Sequence, residues 1–202
     1  MGNVQPMTSR EAGSRPGAGP TPQPSATGIW VVLAAITMSF AAFTSALLVR
    51  QGSSTDWQHF ALPGIVYLNT LVMLASSVTL EVARRRAGRL MRDSGTPMAV
   101  PLAWLWGTLG LGAVFLAGQA AAWLQLRARG VYLPTSPSSS FFYVFTAVHG
   151  LYLLGGMGGL MGVVFRLKRR VLRRSTLEAS SHYWHFMDIL WLYLLLIFWM
   201  KV

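Results

Sequence analysis

The sequence predicts an all-α fold, a polytopic membrane bundle of five transmembrane helices. Of its 202 residues, 53% are hydrophobic and only 11% are charged, whereas soluble domains contain about 25% charged residues. Nearly all of the charge lies in short clusters between long uncharged segments. Five of these segments are long enough to cross a hydrocarbon core of about 30 Å as helices.

The N-terminal residues differ in composition from the rest of the chain. Residues 1–27 are rich in Pro, Gly, Ser and Thr without apolar periodicity, so we predict a disordered tail. The first apolar segment starts only at Ile29 and is long enough to span, so we interpret it as a helix and not as a cleaved signal peptide. Residues 28–202 form the predicted membrane domain, with helices over about 28–49, 61–83, 99–126, 141–166 and 177–201.

The first three helices are predicted mainly from their apolar length. No charged residue occurs between Ile29 and Val49 in the first helix, or between Met98 and Leu126 in the third. The second is expected to begin at Pro63, since proline is tolerated in the first turn of a helix. Each segment supplies the roughly 20 residues that a spanning helix needs.

The fourth and fifth helices carry small or polar residues within their apolar sequence. In the fourth, the pairs Gly155/Gly159 and Gly158/Gly162 have the small-xxx-small spacing that allows close contact with a neighbouring helix. The fifth is preceded by Ser-Thr-Leu-Glu over 175–178, a capping-box pattern that predicts a helix start in water.

The basic residues predict the orientation of the bundle. Five arginines lie in the 84–92 connection, and six Lys or Arg lie in the 166–174 connection. Because connections rich in Lys and Arg face the cytoplasm, we predict a cytoplasmic N-terminus and a periplasmic C-terminus. With two arginines of the tail, thirteen of the 17 basic residues would lie on the cytoplasmic side. The remaining four are Arg50, Arg127, Arg129 and Lys201.

The net charge of +11 predicts lipid partners and no nucleic acid. The arginines lie directly beside apolar segments, a position that favours control of topology and contact with anionic lipids. The chain has no cysteine, which excludes disulfides, iron–sulfur clusters and Cys-ligated copper.

A row of polar residues marks the first half of the fifth helix. Only 189–200 is continuously apolar, which is too short to span, so the polar residues before it must enter the membrane. We call these residues the polar foot, and they are Glu178, His182, His185 and Asp188. We predict that hydrogen bonds from the polar foot fix this helix to its neighbours. Metal binding is less favoured, because a di-metal bundle needs carboxylates from several helices and Glu81 is the only other acid near a predicted span.

His149 lies within the fourth helix, where imidazole could serve as an axial ligand of haem iron. A bis-histidine site needs a second histidine at similar depth. His59 is expected in the first outer loop, and His182 and His185 are expected toward the opposite surface. We therefore interpret His149 as a packing or lipid-contact residue. A transporter is also not favoured, because the sequence shows no inverted repeat.

Four motifs, in order along the chain, resemble subunit III of the haem-copper oxidases. Tyr-Trp-His-Phe-Met-Asp-Ile-Leu-Trp over 183–191 is similar to the Tyr-Trp-His-Phe-Val-Asp-Val-Val-Trp pattern of that family's last helix. Residues 142–156, with Val-His-Gly-Leu-Tyr and Gly-Gly, resemble its Phe-Tyr…Gly-Phe-His-Gly-Leu-His…Gly helix. Leu-Asn-Thr…Ser-Ser over 68–77 resembles the same pattern in short bacterial members of the family. Residues 30–50 correspond in position to the first helix of those members.

The resemblance implies the short, five-helix form of subunit III of a cytochrome c or quinol oxidase in the bacterial inner (plasma) membrane. Such a subunit is non-catalytic. In aerobic respiration it would stabilise the catalytic subunit I, in a complex that also contains subunit II, retain phospholipid and support proton uptake. The complex as a whole is an oxidase, but the resemblance implies no catalytic residues, haem, metal or other cofactor in this chain. Haem and copper would lie in the partner subunits.

The resemblance also implies lipid ligands in the fourth helix, a histidine of its motif and an arginine at its inner end. The candidate lipid-binding residues are therefore His149, Tyr152 and Arg166. Tyr152 replaces the family's second histidine, and its phenol can still donate to a phosphate. Many members carry a buried glutamate in the helix corresponding to the first, but Ile36 occupies that position here, so any function of that carboxylate is absent.

Two other functions stay open at this point. One is a subunit III-like protein of a nitric oxide reductase system. The other is a membrane electron-transfer protein with its own haem or metal.

Overall fold

The computed structural model describes residues 24–53, 55–92 and 97–201, with side chains from residue 28 onward. Within these residues the chain forms five α-helices and no strand, which confirms the predicted fold class. The helices are α1 (Pro24–Ser53), α2 (Gly64–Leu90), α3 (Ala99–Ala128), α4 (Pro137–Lys168) and α5 (Arg174–Lys201). All five are long and apolar enough to cross a membrane. The predicted disordered tail lies outside the described residues, apart from its last four, which begin α1.

Local side-chain bonds explain why α4 and α5 begin earlier than predicted. Ser136 caps α4, because its hydroxyl accepts from the Ser139 amide and its own amide donates to Ser139 Oγ, at 3.3 and 3.1 Å. Pro137 follows at the first helical position, where its fixed φ suits the helix. The capping box predicted at 175–178 is wrong, since α5 has already begun at Arg174. Glu178 instead accepts a hydrogen bond from Arg174 Nε at 2.8 Å.

The helix α2 continues through arginines that were predicted to form a connection. Glu81 accepts two hydrogen bonds from Arg84 and one from Arg85, each at 2.7 Å. Pairs at these spacings lie side by side on a helix and stabilise it by about 0.2–0.5 kcal/mol each. The helical conformation therefore extends to Leu90.

The helices α2 to α5 form a bundle, and α1 packs on its outside. Neighbouring pairs are α2 with α3 and α5, and α4 with α3 and α5. Within the described residues α1 contacts α4 and α5. Phe40 of α1 packs against Phe145 and Tyr152 of α4, with ring centroids 6.1 and 6.2 Å apart. The hydroxyls of Thr44 and Tyr193 are hydrogen-bonded at 2.9 Å and connect α1 to α5.

Glycines allow α5 to approach α3 and α4 closely. A Cβ atom at Gly156 would lie 2.7 Å from Cε1 of Tyr183, and one at Gly112 would lie 3.0 Å from Cη2 of Trp184. The predicted small-residue pairs do not make this contact. A Cβ atom would meet no neighbouring atom of the described residues within 4 Å at three of their glycines, Gly158, Gly159 and Gly162.

The two arginine-rich connections lie at the same end of the bundle, which we call the basic end. A pocket of about 460 Å³ at this end is lined by Met91 and Met98, from the segment between α2 and α3, and by Arg170 and Leu172, from the segment between α4 and α5. At the opposite end, Trp57 Nε1 donates to the carbonyl of Lys201 at 2.9 Å.

The basic end is predicted to face the cytoplasm. The chain has no cysteine, so single cysteines can report its orientation without background. We expect a membrane-impermeant maleimide to label Gln58→Cys in intact cells. Arg89→Cys and Val171→Cys should react only after permeabilisation. All three positions are exposed. Ser138, in the first turn of α4, is buried and donates to the carbonyl of Gln58, so it is unsuited to this probe. The reverse labelling pattern would contradict the orientation.

Candidate functional site

The polar foot of α5 meets α2 at Ser77. The hydroxyl of Ser77 lies 2.7 Å from Nδ1 of His185 and donates a hydrogen bond to Oδ2 of Asp188. A hydroxyl has one proton to donate. Donation to Asp188 therefore requires that His185 carries its proton on Nδ1 and donates to Ser77. One serine of α2 thus binds two polar side chains of α5.

Asp188 is buried near the middle of a spanning helix, with 5% of its surface exposed. Its second carboxyl oxygen, Oδ1, has no hydrogen-bond partner among the described residues. A buried carboxylate oxygen without a partner is costly in free energy. Oδ1 is therefore the position at which a proton, or a donor from outside the described residues, would be accommodated.

Two buried tryptophans of α5 also bind hydroxyls of α2. Trp184 Nε1 donates to Ser76 Oγ, and Trp191 Nε1 donates to Thr70 Oγ1, both at 3.0 Å. Each indole is at most 1% exposed, so its N–H has no access to water. Together with the contacts of Ser77, these bonds form what we call the α2–α5 seam. Its members are Thr70, Ser76, Ser77, Trp184, His185, Asp188 and Trp191.

The two seam hydroxyls that accept from indoles are oriented by their own helix. Thr70 donates to the carbonyl of Val66 at 3.0 Å, and Ser76 donates to the carbonyl of Met73 at 2.7 Å. Because each hydroxyl proton is used within α2, the oxygen lone pairs remain available to accept from α5. The seam is therefore complementary, with acceptors on α2 and indole donors on α5.

The other two residues of the polar foot lie apart from the seam. Glu178 is half-buried and bound to Arg174, whereas His182 is exposed, with its ring centroid 6.3 Å from that of Trp30. The predicted row is therefore divided into a pair that packs against α2, half-buried His185 and buried Asp188, and two residues near the basic end. In the part of the chain that the structure describes, no three His, Asp or Glu residues form a group that could hold a metal ion.

His149 is enclosed in the interior of the bundle. It is fully buried, with its ring centroid 5.8 Å from that of Phe115 and 5.2 Å from that of Trp191. Neither ring nitrogen has a hydrogen-bond partner among the described residues. His149 is therefore packed against aromatic rings in the bundle interior, and its contact with lipid stays a prediction.

One face of α4 connects the other two lipid candidates. Tyr152, Gly155, Gly159 and Arg166 follow each other at spacings of three, four and seven, which places them on the same side of the helix. Arg166 is exposed about two turns beyond Gly159, toward the basic end.

A groove of about 320 Å³ opens along this face of α4, between α1 and α5. We call it the glycine groove, and its lining is Ile29, Val32, Gly155, Gly156, Gly159, Ser180 and Tyr183. The hydroxyl of Tyr183 donates to the carbonyl of Tyr152 at 2.7 Å and so fixes one wall. The groove is a concave, mainly apolar surface, and the cation of Arg166 lies beyond the end of the groove that faces the basic end.

Sequence reasoning missed the role of Ser77 and the pairing of α2 hydroxyls with α5 indoles. Both halves of the seam lie in or near the motifs at 68–77 and 183–191. Three hydroxyl residues within one apolar segment, facing two tryptophans and an acid in another, would have been the signal for pairing.

Comparisons with known proteins support the same assignment as these motifs. Residues 29–201 match the family model described as cytochrome c oxidase subunit III. The cytochrome c oxidase subunit 3 of Thermostichus vulcanus is 29% identical over 178 residues, which are 83% of this chain and 82% of the relative. The quinol oxidase subunit 3 of Bacillus spizizenii is 28% identical over 176 residues, with the same coverage of 83% and 82%.

A third relative matches a shorter region. The probable cytochrome c oxidase subunit 3 of Nocardia farcinica is 32% identical over 126 residues, 61% of this chain and 59% of the relative. The family model itself includes residues from all five helices, from Ile29 in α1 to Lys201 at the end of α5. The chain therefore belongs to the cytochrome c oxidase subunit III family.

Proposed function

We propose that this chain is the non-catalytic subunit III of a haem-copper terminal oxidase in a bacterial inner membrane. The observation that carries the proposal is the family match over residues 29–201. Five helices long enough to span support it. The relatives include both a cytochrome c oxidase and a quinol oxidase subunit, so the proposal covers an oxidase with either electron donor.

The proposal assigns haem and copper to partner subunits and gives this chain a structural role beside catalytic subunit I, with subunit II in the same complex. The surroundings of the chain's four histidines support this assignment. His149 is enclosed by aromatic rings, and His185 is bound to Ser77. His59 and His182 are exposed, in the loop before α2 and near the basic end of α5.

Affinity purification of the tagged chain tests the proposal. Subunits I and II of a haem-copper oxidase should copurify, and the haem absorption should follow subunit I when the complex is dissociated. Copurification with nitric oxide reductase subunits would contradict the oxidase assignment. A Soret band retained by the isolated chain would contradict the non-catalytic role.

The glycine groove and Arg166 support retention of a phospholipid. A guanidinium at the membrane surface can bind a phosphate bidentately. An acyl chain of the same lipid would extend from Arg166 along the groove toward Tyr152, which is half-buried on the same face of α4. This arrangement needs no histidine, which agrees with the burial of His149.

Support of proton uptake would come from the surface of the subunit rather than from a carboxylate in α1. Ile36, at the position of the family's glutamate, is 1% exposed and belongs to the apolar core. The charges nearest to the cytoplasm are those of the basic end. We propose that these charges support proton uptake by positioning the neighbouring catalytic subunit and by changing the electrostatic potential at its surface.

The lipid assignment predicts the effect of Arg166→Ala. Loss of the guanidinium should lower the amount of phospholipid that remains with the purified complex in detergent, measured by mass spectrometry. Arg169→Ala is the matched control, because Arg169 is also an exposed cation, directly after the end of the same helix. Equal lipid content in the two variants would remove Arg166 from the site.

The burial of Asp188 predicts different effects for Asp188→Leu and Asp188→Asn. Leucine removes the carboxyl group that accepts from Ser77, so the half-buried Ser77 hydroxyl keeps only His185 as a partner, and the loss of one such hydrogen bond costs about 0.5–1.5 kcal/mol. Asparagine keeps an acceptor oxygen. We expect the Leu variant to lower the thermal unfolding midpoint and the yield of assembled complex, and the Asn variant to do so much less.

A proton-transfer role for Asp188 would give a different result. Both variants would then assemble normally, and both would slow oxygen reduction or proton pumping. That outcome would contradict the structural role of the acid.

A further inference from the structure

The helix α4 presents a second face at the basic end, distinct from the glycine groove. Met157, Met161 and Lys168 follow each other at spacings of four and seven, so they lie on one side of the helix. Arg166 points to the other side, because two residues correspond to a rotation of about 200°. Arg166 and Lys168 therefore lie at the basic end of two different faces of α4.

An apolar groove of about 500 Å³ lies along this second face, between α3 and α4. We call it the α3–α4 groove, and its lining is Trp106, Leu109, Gly110, Met157, Gly158 and Met161. A Cβ atom at Gly110 or Gly158 would meet no neighbouring atom of the described residues within 4 Å. These glycines therefore leave open space that no side chain of the described residues fills.

A cation lies at the basic end of the α3–α4 groove. Nζ of Lys168 is 5.7 Å from the ring centroid of Trp106, which is 44% exposed. Lys168 takes part in none of the ion pairs formed among the described residues. Its charge is therefore available to an anion at the membrane surface. Tryptophan and lysine at such a position are typical of the interface between headgroups and hydrocarbon.

We propose that the α3–α4 groove binds one acyl chain of an anionic phospholipid, whose phosphate lies against Lys168. The apolar lining suits an acyl chain, and the flexible side chains of Met157 and Met161 can adapt to its shape. The cation of Lys168 at one end favours an anionic headgroup over a zwitterionic one. This site differs from the glycine groove and does not depend on the oxidase assignment.

Photolabelling in a bilayer tests the proposal. The full-length chain, with the subunits that copurify, is reconstituted in nanodiscs containing phosphatidylglycerol or phosphatidylcholine with a diazirine in the acyl chain. Peptide mapping should place phosphatidylglycerol adducts on residues 106–110 and 157–161, with fewer adducts from phosphatidylcholine. Equal labelling by both lipids, or uniform labelling of all exposed spans, would overturn the proposal.

Two variants with matched controls separate the contribution of the groove to lipid binding from that of the cation. Gly158→Leu places a side chain in the groove, where a Cβ atom meets no described atom within 4 Å, and should abolish the adducts there. Ala120→Leu, at an exposed position nearer the opposite end of α3, should leave them unchanged. Lys168→Gln should lower phosphatidylglycerol labelling about fivefold, the factor for losing one cation near an anionic surface. Arg169→Gln should not lower it.

Labelling at the glycine groove serves as the folding control for Gly158→Leu. Unchanged adducts at the α3–α4 groove in this variant would overturn the proposal. If adducts at the α3–α4 groove are absent from the unmodified chain and Gly158→Leu releases the copurifying subunits, the groove holds a helix of another chain. That result would also overturn the lipid assignment.

Discussion

Polar side chains inside a membrane bundle must be paired within the protein, and the α2–α5 seam pairs its indoles and hydroxyls, leaving only Oδ1 of Asp188 among its buried atoms without a partner in the described residues. Two hydroxyls on α2 accept from two indoles of α5, and a third, that of Ser77, binds His185 and Asp188. The rotation of α5 about its axis is fixed by these bonds. A different rotation would leave indole N–H groups and a carboxyl without partners in an apolar environment, where each unpaired group is costly.

The surfaces of α4 follow from the position of α5. With Trp184 held on Ser76, the preceding Tyr183 lies over Gly156 and donates to the carbonyl of Tyr152. This contact forms one wall of the glycine groove and leaves the opposite side of α4 to meet α3. One helix therefore carries two grooves, each followed by a cation toward the basic end.

The existence and number of the helices could be predicted because long uncharged segments have few alternatives in a membrane. Their ends could not, since they depend on local bonds. Ser136 caps α4 through Ser139 instead of the usual Glu or Gln, and Arg174 takes the carboxylate that the capping-box pattern assigned to Ser175. The site was only partly predictable. The helical spacing of His185 and Asp188 indicated a shared face, but their partner Ser77 is more than 100 residues away, and nothing in the sequence specifies which hydroxyl faces them.

The central claim is that hydrogen bonds across the α2–α5 seam hold the bundle together. A double-mutant cycle between Thr70→Val and Trp191→Phe tests it most directly, because valine keeps the shape of threonine and phenylalanine keeps an aromatic ring. Unfolding free energies in detergent should give a coupling of about 0.6–1.7 kcal/mol, the range from the average to the largest values for side-chain hydrogen bonds between membrane helices. Strictly additive effects of the two substitutions would contradict the claim.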